Sequence, residues 1–254
     1  MIVKCTNEQI NRIKSNFSRE RDCSETDKIE IEALLGLLIF AGVRRNSRLN
    51  AKDLFKTDGS SPEIFRITMS WNRFYLLMRC LRFDEKDTRA ERASIDKLAS
   101  IRQLFEDVVS AFEKYYSLSQ FVTIDEKLEG FRGRCSFRQY IPSKPNKYGI
   151  KIYALTDAKT FYTTSMEVYL GKQPDGPKKV DNSSMALVLR LIKGIHNTGR
   201  NITCDNFFTS IPLLDKLESE HKLTLIGTIR KNKKELPKKT SQNHEAEPRI
   251  PVYS

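Results

Sequence analysis

Two short segments of the 254-residue chain share a pattern that could do metal chemistry: Thr123-Ile124-Asp125 and Thr203-Cys204-Asp205. Each is a strand-forming run that closes on an aspartate. Side chains alternate across a strand, so the Thr and Asp of each run share one face, while Ile124 and Cys204 point to the other. On adjacent parallel strands, which lie about 4.8 Å apart, the two carboxylates emerge side by side. The ions of a two-metal phosphoryl-transfer site lie roughly 3.5–4 Å apart, so one carboxylate can bridge both. Oxygen donors of this kind suit Mg²⁺ or Mn²⁺, and without a cation two adjacent carboxylates repel. An isolated Asp at a strand end is commonly a turn former or helix cap; it is the matched pair that makes Asp125 and Asp205 the candidate catalytic and metal-binding residues. Glu126 faces the opposite way if its strand continues and is given no metal role. Asp157, closing a second strand, is a weaker acidic candidate and reads first as a turn residue.

Cations follow the first aspartate. Lys127, Arg132, Arg134 and Arg138 follow the first, and Lys144, Lys147 and Lys151 follow them, which suits phosphate contacts along a nucleic-acid backbone. Pro142 and Pro145 stiffen the loop that carries Lys144, lowering the entropy lost on gripping a ligand. Asn206, Phe207 and Phe208 follow the second aspartate; Phe207 or Phe208 could stack on an unpaired base, the alternative being a place in the core. A further basic cluster, Arg230, Lys231, Lys233 and Lys234, reads as a DNA contact, a nuclear localisation signal or a solvated loop.

The elements that must position these residues change character along the chain. Residues 1–119 read as helical. Leu34, Leu35, Leu38 and Ile39 fall on one helix face; Ser61-Pro62-Glu63 supplies a cap and first turn; Trp71, Phe74, Tyr75, Met78 and Leu81 make a second stripe, and Leu98, Ile101, Phe105, Val108, Phe112 and Tyr115 a third. From Phe121 the period becomes that of strands, at 121–125, 149–157 and 160–170. A helix over 185–193, a strand at 201–205, a helix from Ser210 to His221 and a strand at 223–229 follow. Three antiparallel strands and then alternating helices and parallel strands is the order of an RNase H-like mixed sheet, giving an α/β (α+β) chain with an N-terminal helical domain. The core is expected over 120–231, and 232–254 reads as loop or the start of an insertion.

Composition bounds the function. With 44 Lys+Arg against 32 Asp+Glu the formal charge is +12, which favours an anionic partner. The apolar run 33–43 is too short to span a bilayer, and no secretory leader pattern opens the chain, so a nuclear or cytosolic protein without a membrane partner is expected. Cys5, Cys23, Cys80, Cys135 and Cys204 are scattered, without a C-x-x-C pair, so no zinc is expected in this chain, and the thiols read as free. His196, His221 and His244 lack ligand spacing.

Four motifs carry a family resemblance: TIDEKLEGFRGR (123–134), IPSKPNKYGIK (141–151), NITCDNFFTS (201–210) and GTIRKNKKELP (227–237). In order and spacing the chain resembles the piggyBac-type transposases, and MSWNRFYLLMRCLRFDEKDTR (69–89) is similar to that family's dimerisation and DNA-binding region. The resemblance implies an Asp-Asp-Asp metal triad in an RNase H-like core that excises DNA and integrates it at TTAA sites, with Mg²⁺ (or Mn²⁺) as cofactor, double-stranded transposon-end DNA as partner, a possible homodimer and a nuclear location. Asp125 matches the first acid and Asp205 the second. The third is implied on a helix beyond GTIRKNKKELP, further along than Ser254. Glu235, Glu245 and Glu247 are the acids after the last strand, and Pro237 and Pro248 argue against a helix presenting them. The expectation is a transposase-like DNA-binding protein that does not cut DNA alone; the alternative is a domesticated, non-catalytic binder.

Overall fold

The computed structural model describes residues 1–45 and 49–236. The chain divides into two units: 1–108 with 135–137 and 170–180, and 109–134 with 138–169 and the rest of the chain from Asp181.

The first unit is helical: α1 (Ile2–Ile13), α2 (Lys28–Val43), α3 (Ile64–Thr68), α4 (Trp71–Cys80), α5 (Arg89–Ile95) and the first half of α6 (Arg102–Tyr115). Asp27 caps α2 by accepting the Glu30 N–H at 2.8 Å, and Ser70 caps α4 by accepting that of Arg73 at 3.3 Å. Ser61 does not cap α3 as expected; its hydroxyl donates to the Asp53 carbonyl. The core joins Ile10, Leu34, Leu37, Phe65, Phe74, Leu77 and Cys80.

The expected helix faces are partly rotated. In α2 the buried residues are Ile31, Leu34 and Leu37, and Ile39 is exposed. In α4 they are Phe74, Leu76, Leu77 and Cys80, with Tyr75 and Met78 exposed. Both helices are apolar on more than one side, so period alone does not choose the inner face. Polar anchors do: the Arg73 guanidinium grips both Glu30 carboxylate oxygens at 2.6 Å and donates to the Ser24 and Glu25 carbonyls. Along α6 the expected stripe is half-buried at Phe105 and Phe112 and exposed at Val108 and Tyr115.

The second unit carries a sheet of β1 (Phe121–Gly130), β2 (Gln139–Tyr140), β3 (Tyr148–Asp157), β4 (Thr163–Val168), β5 (Asn201–Cys204) and β6 (Thr224–Gly227), with α7 (Ser184–Leu191) and α8 (Ile211–His221). The path is β2-β3-β1-β5-β6, and β4 pairs with the other end of the same edge of β3. β1 is antiparallel to β3 and parallel to β5, and β5 is parallel to β6. This is the expected RNase H-like order, with one further short strand, β2, ahead of the loop that carries Pro142 and Pro145. Both crossovers, β4 to β5 through α7 and β5 to β6 through α8, step the same way along the sheet. Right-handed connections therefore lay both helices on one face, where Leu187, Val188, Leu191, Leu213 and Leu217 cover Val122, Ile124, Leu155, Ile202 and Cys204. Each fully buried aliphatic side chain here contributes about 1.5–3 kcal/mol.

β1 runs on past Asp125 to Gly130, longer than expected, because β3 supplies partners as far as Gly149. β4 is shorter at its start, since residues 157–162 form a turn around Asp157. That carboxylate is fully buried and accepts the Ser119 N–H at 2.6 Å, the Lys159 N–H at 2.8 Å and the Thr160 N–H at 2.9 Å. The Ser119 bond first among them holds its pKa well below the ordinary carboxylate range.

Candidate active site and nucleic-acid interface

The parallel register of β1 and β5 pairs Thr123 with Thr203 and Ile124 with Cys204, the last pair before β5 ends. Asp125 and Asp205 are the next residue on each strand. Burial follows the alternation: Ile124 and Cys204 are buried, Asp125 and Asp205 exposed. The two carboxylates thus sit in corresponding positions where neighbouring parallel strands separate.

Each carboxylate is aimed by its own main chain. Asp125 Oδ1 accepts the N–H of Glu126 at 2.7 Å, and Asp205 Oδ1 accepts the N–H of Phe207 at 2.9 Å. The Asp205 carbonyl accepts the N–H of Thr209 at 3.1 Å and its hydroxyl at 2.8 Å, closing the turn that leads into α8. Ser210 then caps α8 through the Leu213 N–H. In both aspartates Oδ2 has no protein donor among the described residues, which leaves one hard oxygen on each free for a cation. Among the described residues no group of three or more His, Cys, Asp or Glu comes together in a way that could hold a metal. The donor set present is therefore a pair, and it fits the small number of carboxylates by which Mg²⁺ is bound beside a phosphate.

Glu126 faces away from the pair, as alternation requires. It meets the ammonium of Lys151, which is 16% exposed, and lies 3.8 Å from that of Lys144. Burial works to lower the Lys151 pKa, but Glu126 and Tyr153 outweigh it and hold it above the ordinary lysine value. Lys151 is accordingly not part of the surface patch that its place in the sequence suggested. Phe208 is 1% exposed, packed edge-on against Tyr153 with ring centroids 5.9 Å apart, so its ring offers no face to a base.

The remaining cations lie where a backbone could reach them. Lys127, Arg132, Arg134, Arg138 and Lys147 are exposed, and Lys144 is half-buried. Lys127 pairs with Glu129 at 2.7 Å; the Arg138 guanidinium donates to the carbonyls of Arg132 and Gly133 and lies 5.3 Å from the Tyr148 ring. Arg230 donates to Asn206 Oδ1 at 3.3 Å, linking two of the expected DNA-contact residues beside Asp205. Lys231 and Lys234 are exposed and Lys233 is half-buried. Glu235 is exposed, whereas Pro237, Glu245, Glu247, Pro248 and His244 lie outside the described residues.

Sequence reading missed two aromatic residues at this surface. Tyr140 and Tyr148 pair across β2 and β3, with ring centroids 4.7 Å apart and exposures of 56% and 53%. Their only sequence signal is a pair of tyrosines bracketing the Pro-stiffened loop. His196 and His221 stack with ring centroids 4.3 Å apart, beyond the end of β5 opposite to Asp205. Of the five thiols, Cys5, Cys23, Cys80 and Cys204 are buried and Cys135 is half-buried. No helix of the described residues is long and apolar enough to cross a membrane.

A family model described as transposase IS4 matches residues 1–250. The chain is 30% identical over 142 residues to the human PiggyBac transposable element-derived protein 3, covering 54% of this chain and 23% of that protein. It is 23% identical over 210 residues to the human PiggyBac transposable element-derived protein 2, covering 81% of this chain and 34% of that protein. A cryo-EM structure of the piggyBac transposase synaptic complex with hairpin DNA matches it with a TM-score of 0.81 and 39% identity, over 93% of this chain and 49% of that one. The chain spans less than half the length of each of these proteins. With the sheet order, the paired aspartates and these likenesses in agreement, the chain belongs to the transposase IS4 family and is of the piggyBac type.

Proposed function

We propose that the chain is a transposase-like DNA-binding core in which Asp125 and Asp205 hold a divalent cation, Mg²⁺ or Mn²⁺, at the end of the β1–β5 pair. The observation that carries this reading is the register: two exposed carboxylates follow the last parallel pair, each with one oxygen aimed by a backbone N–H. When bound there, the cation would supply activation of water or a 3′-hydroxyl and stabilisation of the departing phosphate-ester oxygen. The chain's own residues bind and orient the DNA: Lys127, Arg132, Arg134, Arg138 and Lys147 meet phosphates, Asn206 and Arg230 hold the strand beside Asp205, and Tyr140 and Tyr148 offer rings for stacking. Double-stranded transposon ends and TTAA targets, a nuclear location and a homodimer belong to the same proposal, by way of the family.

The alternative reading is a non-catalytic DNA binder that keeps the fold and the basic surface without the chemistry. Both readings share the cation site, and they differ in cleavage. Mn²⁺ binding followed by electron paramagnetic resonance should be lost in Asp125→Asn and in Asp205→Asn; full retention in both variants sinks the two-carboxylate site. We expect no nicking of transposon-end DNA by this chain with Mn²⁺, and nicking that disappears in the same variants decides for the enzyme.

A further inference from the structure

We infer that Lys151 is a positioning residue for the Asp125–Asp205 pair, acting from the opposite face of the sheet. The inference rests on the reading of those aspartates as cation ligands and adds what holds them in place.

Lys151 on β3 lies across from Leu128 of β1, and its ammonium sits in a nest assembled from separate parts of the chain. It ion-pairs with Glu126 on β1 and lies 4.9 Å from the Tyr153 ring centroid, 5.7 Å from that of Tyr169 and 5.3 Å from that of Phe207. The Tyr153 and Phe207 rings are nearly parallel, 7° apart, at 6.4 Å. A cation over aromatic faces and beside a carboxylate, with little water, is held far more firmly than one at the surface.

Its partners are what give the nest a role. Glu126 and Phe207 are the two residues whose backbone N–H groups donate to the Asp125 and Asp205 carboxylates, at 2.7 and 2.9 Å. One ammonium therefore grips the side chains of both residues whose main chain aims the pair. Strand alternation makes this possible: Asp125 and Glu126 point to opposite faces, so the grip lies beneath the rim and leaves the cation side open. Motion of Phe207 away from Lys151 would carry its N–H off Asp205, and rotation at Glu126 would do the same for Asp125. Groups that orient a metal ligand in this way commonly govern affinity without touching the ion.

The test measures Mn²⁺ binding by electron paramagnetic resonance on the whole chain, for wild type, Asp205→Asn, Phe207→Leu and the paired replacement Lys151→Met/Glu126→Gln. The paired replacement removes both charges and so leaves no orphaned carboxylate to unfold the sheet. We expect Kd to rise roughly tenfold in the paired replacement and in Phe207→Leu, with the number of ions bound per folded molecule unchanged. A lysine that merely stabilises the fold would reduce the ion bound at saturation and leave Kd where it was, and that result overturns the inference. If wild type binds and both nest variants match it, the inference alone fails. If wild type binds no more than Asp205→Asn, the ligand reading of the pair fails and takes the inference with it.

Discussion

Asp96, buried just past the end of α5, collects four donor bonds. Arg102 donates to it twice, at 2.8 and 2.7 Å, the Leu98 N–H at 3.0 Å and the Gln173 side chain at 3.1 Å. Burial works to raise its pKa, but these donors outweigh it and bring the value down to about 2. A carboxylate held below its unfolded value stabilises the fold at pH values above that unfolded value, and the contribution is lost as pH falls through the folded one. We expect Asp96 to contribute a loss of about 2 kcal/mol of stability as pH falls from about 4 to below 2, beside that of Asp157, on the linkage arithmetic of a pKa lowered from near 3.8. Urea unfolding across that window checks it, and Asp96→Asn should flatten the profile; an unchanged slope in that variant discards Asp96 as the cause. At this scale the sequence was readable where a residue's placement depends on its own strand. Asp125 and Asp205 stood out because two matched runs closed on the same residue type, and Asp157 showed itself as a turn former. Lys151 was not readable, because the groups around it come from β1, from its own strand, from Tyr169 just past β4 and from the turn after β5. Its chemistry exists only once those segments meet.

Element by element, strands were easier to read than helix faces. Alternation leaves a strand two choices, and the buried Val122, Ile124, Ile202 and Cys204 settle both β1 and β5. α2 and α4 are apolar on several sides, so their inner faces depend on Arg73 and Glu30, a pair 43 positions apart in sequence. β2 has two residues, too few for any period to register. The end of β6 is tighter than its sequence suggests. Gly227 pairs with Cys204, and a Cβ there would run into the Thr209 hydroxyl and stand 2.6 Å from the Cys204 carbonyl oxygen. Because Thr209 also bonds the Asp205 carbonyl, the strain would fall on the turn that carries the second aspartate. Gly227→Ala should therefore lose about 1–3 kcal/mol of stability, the usual cost of overpacking, read as a lower urea midpoint. A midpoint equal to that of wild type would show that β6 has room to move aside.

For the whole molecule, the strand order followed from the succession of periods, whereas the return of 135–137 and 170–180 to the first unit leaves no mark in a linear sequence. The charge of +12 was plain from composition, yet its distribution was not. Lys127, Arg132, Arg134, Arg138 and Lys147 are exposed, and Lys151 is spent inside the sheet unit. If those five cations meet phosphates, the logarithm of the DNA association constant should fall against the logarithm of salt concentration with a slope of roughly −4 to −5, at about −0.9 per contact. Fluorescence anisotropy with duplex DNA at several salt concentrations measures the slope, and a value near zero would remove the phosphates from the proposal.

The stretch from Ser119 to Asp125 works as a ruler. Its start is pinned where the Ser119 N–H meets the buried Asp157 carboxylate, and its far end must deliver an aspartate to the rim and a glutamate to the aromatic nest beneath. Deleting a single residue between those points would bring Glu126 to the rim and turn Asp125 onto the buried face, and inserting one would turn Asp125 towards the nest and leave Ile124 at the rim, as a one-step slip turns every side chain of a strand to the other side. The length of this stretch is therefore held at both of its ends.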